Sequence, residues 1–454
     1  MARGTDVYLA IKPQVDLQTP VPDTTLVTGD YLGFDSEAMG GSRQSVQART
    51  IKRSSVRKSA SSANGTIAAG GTVDFTGTQL VLDKLLPLAT HTSSTVQWFK
   101  SNGSGGETVA SGPNDAGAYP KVTMTPVDAA TVGEKAAGVH RNTYTLLDGG
   151  KLTPFTLFIG MMGGEGAEGN YTRKFTGCKI NTISFGMRVN DFLKITTDIQ
   201  GVEKTLPDGT RTPTYPLDEV EYSYFFDGAS AHIKAGNMAD LVEIPVSATD
   251  LELNHNLNTE DYRLHAIKRQ SLDEGITDVS GSFEMTAGAR GIDGTLNAVS
   301  QLQNDRAFLE RLNLEAKAAS LEYRYIDWTR PIVEGALATG STRTVLKLAE
   351  APLSLRPGDE VFYGSGDTTN QDSTAKYRVA AVDVAAKTVT LAGAGLSSDP
   401  VEGTEIRIPS MLRIKLPYIR LEEPDFHARD TSTIRGTARF SGFSGVTIEH
   451  IYKI

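Results

Sequence analysis

Apolar and polar residues alternate with a period of two along much of the chain. Runs rich in Val, Ile, Thr, Phe and Tyr are separated at short intervals by clusters of Gly, Ser, Thr, Asn and Asp. Such alternation is typical of strands with one buried and one wet face, and the clusters are typical of the turns between them. The pattern therefore predicts a mainly β fold.

The segment between Gly177 and Gly201 shows this alternation most clearly and predicts a long β-hairpin, Lys179–Gln200, which turns at residues 189–191. A bulge is expected near Asn181 or Thr182, because the apolar residues on either side of this point are out of phase. The side chains predicted to pack into the core are Ile183, Phe185, Leu193 and Ile195. Those predicted on the polar face are Lys194, Thr196 and Asp198.

Helical periodicity is scarce and is confined to two segments. Apolar residues spaced three and four apart predict a helix over Thr295–Leu314. A shorter helix is predicted from Thr78 to Leu86, ending at Pro87 because a proline disfavours helical backbone in the residue before it. The chain should therefore be mostly β with one helix in each half.

Both halves present these elements in the same order, which predicts two copies of one domain, residues 1–215 and 216–454. In each half a polar arm precedes a strand, a helix and a closing pair of strands, and the second arm is centred on Arg269. Residues 336–407 break this order with short apolar strands separated by Gly, Asp and Pro turns. We predict that they form a small β module inserted into the second copy and projecting from its outer surface.

Length and composition exclude several classes of protein. A chain of 454 residues is long enough for about three domains. Its single cysteine, Cys178, excludes an intrachain disulfide, gives no support for a cysteine-ligated metal, and is expected to be a small buried residue. The net charge of −9 argues against a general nucleic-acid binder. Neither a membrane helix nor a signal peptide is visible, so we expect no membrane association and synthesis in a cytoplasm.

Motifs for catalysis are absent from the sequence. There is no G-x-S-x-G, no P-loop, no H-E-x-x-H and no C-x-x-C. Asp367, Asn370 and Asp372 carry oxygen donors at short spacing, but a solvated turn is favoured over a calcium site because the fixed spacing of a calcium loop is missing. His255 is expected to be a loop histidine. We therefore predict no catalytic residue, no metal site and no cofactor.

One charged segment stands out between Ser42 and Ser62, where six basic residues occur without an acidic one. These residues are Arg43, Arg49, Lys52, Arg53, Arg57 and Lys58. The segment is either a solvated arm or strand edge, or an arm that docks on an acidic surface of a neighbouring copy. That surface would carry the acidic residues Glu402, Glu405, Glu422, Glu423 and Asp425. DNA binding is disfavoured because no aromatic residue lies among the basic ones.

The run FTGCKINTISFGMRVNDFLKITTDIQG resembles the signature hairpin of tail tube proteins from long-tailed, non-contractile bacteriophages. The segments QLVLDKLLPLA and PFTLFIG precede it in the order expected for that family, and LPYIRL resembles a part of single-copy tube proteins. The resemblance covers most of the chain except the insert. It implies tandem β-sandwich or barrel domains, each with a flanking helix and a long hairpin that faces a lumen.

What the resemblance implies is assembly without catalysis. Members of the family form rings that stack into a tube in the virion tail, and DNA passes through the lumen without specific binding. The implied partners are further copies of this chain and the tape measure, tail terminator and distal tail proteins. Two domains in each chain favour a trimeric ring with pseudo-sixfold symmetry, and a hexameric ring of larger protomers is the alternative.

Two other classes of function stay open at this point. The chain could be another phage or surface β-protein, such as a head-decoration protein or adhesin, with the insert as its binding part. A carbohydrate-active enzyme with a carboxylate pair ranks last, because aromatic residues make up only 7 % of the chain and its two tryptophans are isolated.

Overall fold

The structure is a computed structural model. It describes residues 7–14, 16–22, 25–26, 30–52, 55–90, 96–101, 107–109, 119–122, 139–146, 151–161, 171–188, 191–205, 228–235, 242–262, 268–286, 309–310, 313, 319–349, 352, 355, 357, 359–363, 376–383, 385–396, 399–422, 425–428, 434–442 and 445–453.

The chain is mainly β, with 61 % of its residues in strands, and the predicted fold class is confirmed. The elements of the first half are β1 (Val7–Pro13), β2 (Tyr31–Leu32), β3 (Ser36–Glu37), β4 (Gly40–Lys52), β5 (Ser55–Thr76), α1 (Gln79–Ala89), β6 (Val96–Ser101), β7 (Glu107–Val109), β8 (Tyr119–Val122), β9 (Val139–Thr145), β10 (Phe155–Met161), β11 (Tyr171–Arg188), β12 (Lys194–Gly201) and β13 (Glu203–Thr205). The elements of the second half are β14 (Gly228–Ala235), β15 (Val242–Pro245), β16 (Ala248–Asn254), β17 (Asp278–Thr286), β18 (Ala319–Ala336), β19 (Val345–Lys347), β20 (Glu360–Tyr363), β21 (Lys376–Asp383), β22 (Thr388–Leu391), β23 (Glu405–Leu421), β24 (Asp425–Ala428), β25 (Ile434–Gly442) and β26 (Thr447–Lys453).

In the first half, strand β11 belongs to two antiparallel sets of strands. Its first part pairs with β10 and β13, and β10 pairs in turn with β1. Its second part pairs with β12, which pairs with β5. The change of partner falls at Gly177, whose φ of 59° is in the left-handed region. A Cβ there would lie 2.4 Å from the backbone oxygen of Leu17, so glycine is required at this point.

The second half repeats these pairings in the same order. Strand β23 pairs with β18 and β26, and β18 pairs with β14. In these pairings β23 takes the place of β11, β18 that of β10, β26 that of β13, and β14 that of β1. Further along, the end of β23 and the short β24 pair with β25, which pairs with β17. The two halves are joined by pairing between β11 and β16. The strands in the order β4, β5, β12, β11, β16, β17, β25 and β24 therefore form one continuous antiparallel sheet, called the inner sheet below.

The apolar sides of these strands and of α1 share one buried cluster. It includes Leu157 of β10, Phe185 of β11, Val73 of β5, Leu85 of α1 and Phe283 of β17. Burial of about 25 cal/mol per Å² of apolar surface is the main force that holds such strands together.

Helix α1 begins where it was predicted to begin, but its predicted end is wrong. Thr78 is the N-cap and accepts a hydrogen bond from the backbone N–H of Val81. Pro87 lies inside the helix, which continues to Ala89. The last turn is retained because Leu88 and Ala89 are buried in the core and Thr90 donates its hydroxyl to the carbonyl of Leu86 at 2.8 Å. The second predicted helix, Thr295–Leu314, lies almost entirely outside the described residues.

The insert has a hydrophobic cluster separate from that of the inner sheet. Its core includes Leu346, Val361 and Val389, and the base of the cluster contains Met411 and Ile451, which lie outside the insert. The insert connects the end of β18 to the start of β23, which are paired with each other. In the first half the corresponding strands β10 and β11 are connected by only nine residues, 162–170. Residues 336–407 therefore occupy the position that the β10–β11 connection occupies in the first half.

A buried ion network joins the insert to the strands below it. Arg413 of β23 lies 2.7 Å from Asp359 of the insert, 3.0 Å from Glu449 and 3.3 Å from Glu322. Burial opposes the charged guanidinium, but the three carboxylates outweigh that effect and raise the pKa of Arg413. Removing one member of the network would leave a buried charge without compensation, so the insert and the body are coupled at this point.

Candidate functional site: the polar face of the inner sheet

The inner sheet has one buried face and one polar face, and the predicted hairpin lies in its middle. Ile183, Phe185, Leu193 and Ile195 are 0 % exposed. The neighbouring strands alternate in the same phase, because paired residues in adjacent strands point to the same face. The polar side chains on the opposite side form a continuous surface across β5, β12, β11, β16, β17 and β25. We call this surface the polar face.

The three polar residues predicted from the hairpin all lie on this face. Lys194 is exposed and lies 3.3 Å from Asp191 in the hairpin turn. Thr196 is also exposed and donates a hydrogen bond of 2.8 Å to Asp74 of β5. Asp198 accepts hydrogen bonds from Asn181 and Gln200 at 2.8 and 3.1 Å. These contacts hold the polar side chains in place at the surface.

Asn181 occupies the predicted bulge, which is confirmed by a shift of register between Ile180 and Thr182. The side chain of Asn181, the extra residue, forms hydrogen bonds on two sides. The Asn181 amide donates to Asp198, and its carbonyl oxygen accepts from the backbone N–H of Leu257 at 2.9 Å. The bulge therefore joins the two strands of the hairpin to the loop that follows β16.

Acidic groups outnumber basic ones on the described part of the polar face. The acidic residues are Asp74, Asp198, Asp250, Glu252, Asp278 and Glu284, and the basic residues are Arg188, Lys194 and Arg439. Where Arg188, Asp250 and Glu284 meet, they line an open cleft of about 470 Å³. An excess of carboxylates gives this surface a negative potential.

Sequence reasoning missed the acidic residues of β5, β16 and β17. The signal was present as alternation in ATDLELN, where Thr249, Leu251 and Leu253 are buried, and in DVSGSFEMT, where Val279, Phe283 and Met285 are buried. The pairing of β11 with β16 was not visible, because nothing local specifies which strand lies beside the hairpin.

The basic segment forms most of a β-hairpin made by β4 and β5, which are paired from Gly40↔Gly70 to Lys52↔Ser55. Backbone pairing satisfies the N–H and C=O groups that point between the two strands, and water can satisfy those that point outward, so a polar sequence can form these strands. Arg43, Arg49, Lys52, Arg57 and Lys58 lie on the two strands. Arg53 lies outside the described residues.

The predicted acidic surface is not brought together. Glu402 and Glu405 lie at the base of the insert, whereas Glu422 and Asp425 follow the other end of β23. The 17 residues of β23 separate the two groups by roughly 50 Å of strand at about 3.3 Å per residue. Nearness in sequence therefore did not produce one patch, and Glu423 lies outside the described residues.

Arg269 was expected on a polar arm but is buried. Its guanidinium donates to the backbone oxygen of Gly201 at 2.9 Å and to that of Ala69 at 3.3 Å. Glu274, which lies in the same loop as Arg269, forms an ion pair of 2.5 Å with Lys179 of β11. The loop between β16 and β17 is thus fixed against the first half of the chain.

Three observations bear on chemistry in the part of the chain that the structure describes. No three or more His, Cys, Asp and Glu side chains are grouped there to hold a metal ion. Cys178 is fully buried, as predicted, and burial raises the pKa of its thiol well above the ordinary value. His255 is buried and lies 3.2 Å from the hydroxyl of Thr277. Asp367, Asn370 and Asp372 lie outside the described residues.

Among the described helical residues, none belongs to a helix long and apolar enough to cross a membrane.

The chain is similar to a known family of proteins. No curated protein matches the chain significantly. A family model described as phage tail tube protein matches residues 4–303, which is about two thirds of the chain and includes the hairpin and most of the inner sheet. The chain therefore belongs to the phage tail tube protein family and is a structural component of a virion tail.

Proposed function

We propose that the protein assembles into stacked rings that form the tube of a phage tail, with the polar face lining the lumen through which DNA is delivered. The observation that carries this proposal is the unbroken polar face, which crosses six paired strands and both halves of the chain. The proposed role of the protein is structural and requires no catalytic residue or cofactor.

The charge of the polar face suits a passage for DNA. Phosphate groups are repelled by a surface on which carboxylates outnumber basic groups, so DNA would move along it without being held. A uniformly basic surface would bind the same polymer strongly and release it only at high salt. Lys194, Thr196 and Asp198 of the hairpin would then face the lumen.

The repeated pairings support two tube domains in each chain, residues 1–215 and 216–454. If β3 is counted with β4 and β23 with β24, each domain supplies four strands to the inner sheet. Three chains would then supply six domains and 24 strands to a closed barrel with pseudo-sixfold symmetry. The alternative is a hexameric ring in which the chain acts as one unit.

The basic hairpin of β4 and β5 is proposed to contact another subunit or ring. A two-stranded ribbon that extends beyond the inner sheet can reach a neighbour, and its charge fits a protein whose net charge is −9. A solvated ribbon kept from aggregation by its charges is the alternative.

Membership of the family supports further partners in the tail. We propose that the tube meets tape measure protein in its lumen, a terminator protein at one end and a distal tail protein at the other. The chain would be made in the cytoplasm of the bacterial host and reside in the virion tail.

Electron microscopy combined with cysteine labelling tests the proposal. Purified protein should form rings or tubes, and Asp250→Cys in those tubes should react with a small maleimide but not with a maleimide carried on a protein. Val401→Cys is the matched control, because Val401 lies on the insert with 63 % of its surface exposed and should react with both reagents. The native thiol is buried and will not interfere. Equal reaction of Asp250→Cys with both reagents in intact tubes would place the polar face outside the lumen.

A further inference from the structure

The two halves of the inner sheet have the same register. Gly186 pairs with Lys194 in the first half, and His427 pairs with Arg435 in the second, with both partners displaced by 241 residues. Each half also has one extra residue on one strand of this pair. In the first half it lies on β11 between residues 180 and 182, and in the second it lies between residues 421 and 425, which join β23 to β24. The strands β11 and β12 therefore correspond to the paired strands β23–β24 and β25, residue by residue.

The strand on the other side of each half also has a counterpart. Ala248 of β16 lies opposite Glu284, and Ser36 of β3 lies opposite Asp74. Asp74 and Glu284 correspond because β5 and β17 are displaced by 210 residues, as their pairing with β12 and β25 shows. Residues 36–42 of β3 and β4 therefore correspond to residues 248–254 of β16, with a displacement of 212.

This correspondence leaves two edges that differ from the junction inside the chain. Between the halves, β11 pairs with β16 so that Phe185 lies opposite Leu251. In the described part of the chain, β24 is paired on one side, with β25, and residues 36–42 are paired on one side, with β5. Unpaired strand edges of this kind are surfaces for pairing with another chain.

We propose that β24 of one protomer pairs with residues 37–40 of a second copy in the register of the internal junction. This places Phe426 opposite the second copy's Met39, and His427 opposite its Ala38. The residue types support this register, because Phe426 corresponds to Phe185 and Met39 corresponds to Leu251. An aromatic residue is therefore paired with an aliphatic one at both junctions. The inference rests on the proposed function, since it names the contact by which rings close.

The free protomer protects this edge with its own side chains. The backbone N–H of Met39 donates to the carboxylate of Glu37 at 2.9 Å, and the backbone oxygen of Met39 accepts from Arg173 at 3.0 Å. Arg173 and Glu37 also form an ion pair. A backbone N–H makes one strong hydrogen bond, so Glu37 must release Met39 before a neighbouring strand can bind there. Glu37 and Arg173 thus prevent this edge from pairing with the wrong strand.

Disulfide formation between Ala38→Cys and His427→Cys tests the register. The N–H of Ala38 points to Thr72 of β5, so Ala38 and His427 would form a non-hydrogen-bonded pair, whose Cα atoms lie about 4.5 Å apart in antiparallel sheets. That separation suits a disulfide. Oxidised tubes of the double variant should give a ladder of linked chains on a non-reducing gel, and each single variant should give none.

Two matched variants serve as controls. The pair Ala38→Cys and Ala428→Cys is slipped by one residue, which places the thiols on opposite faces, and it should not form the ladder. The pair Gly186→Cys and Asp250→Cys lies across the internal junction and should form a disulfide within one chain. A ladder from the slipped pair, or none from the tested pair in tubes, would overturn the register.

Hydrogen exchange of the unmodified protein gives a second test that needs no variant. The amides of Met39 and Phe426 should exchange at least tenfold more slowly in tubes than in protomers. Unchanged exchange at both positions in tubes would overturn the proposed contact and leave tube assembly standing. If the unmodified protein formed no rings or tubes, the proposed function and this contact would both be wrong.

Discussion

Ile195 tests the assignment of faces in the inner sheet most sharply. It is fully buried, pairs with Phe185 on one side and with Phe75 on the other, and its neighbour Thr196 points to the polar face. Replacing a buried isoleucine with alanine removes apolar contacts and leaves a cavity, which costs about 2–5 kcal/mol. Thr196→Ala loses one exposed hydrogen bond, which is worth about 1 kcal/mol or less.

Thermal unfolding of the protomer measures this difference. For a unit of 150–250 residues, 1 kcal/mol corresponds to roughly 2–4 °C, so Ile195→Ala should lower Tm by about 4–20 °C. Thr196→Ala should lower it by no more than about 4 °C. Ile195→Asp places an unpaired carboxylate in the core and should abolish folding. Equal effects of the two alanine variants, or a folded Ile195→Asp protein that assembles normally, would refute the assignment of faces.

Three further predictions concern the insert, the basic hairpin and the buried ion network. Replacing residues 337–404 with a short Gly/Ser linker removes Asp359 but also uncovers Arg413 to water, so no buried charge is left without compensation and tubes should stay intact in electron micrographs. Loss of tubes would make the insert part of the tube domain. Neutralising four basic residues of the segment Ser42–Ser62 should leave circular dichroism unchanged but reduce tube yield at low salt, and an unchanged yield would remove this segment from the interface. The four residues are Arg49, Lys52, Arg53 and Arg57. Arg413→Met should lower the free energy of unfolding in urea by about 3–5 kcal/mol. Arg407→Met, on a more exposed part of the same strand, should lower it by less than about 1 kcal/mol, and equal losses would contradict a coupled network.

The hairpin could be predicted because apolar and polar residues alternate along both of its strands. Period-two alternation fixes which side of a strand is buried, so Ile183 and Lys194 fall on opposite faces whatever lies beside the hairpin. The bulge at Asn181 was predictable for the same reason, because an extra residue shifts the phase of the apolar positions.

Other features depend on partners that are distant in sequence. The pairing of β11 with β16 brings together segments that no local pattern relates. Arg269 was expected on a polar arm, because the backbone groups that bind its guanidinium are up to 200 residues away in sequence. Pro87 stops a helix in isolation, but burial of the following turn retains it here.

A cryo-electron microscopy reconstruction of the tube tests the central claim most directly. If each chain supplies two tube domains, a ring contains three chains, its inner barrel has 24 strands, and three inserts project from its outer surface. The density should then show threefold symmetry outside and near-sixfold symmetry around the lumen. Six inserts in each ring with true sixfold symmetry would contradict the account, as would a lumen lined by anything other than the polar face.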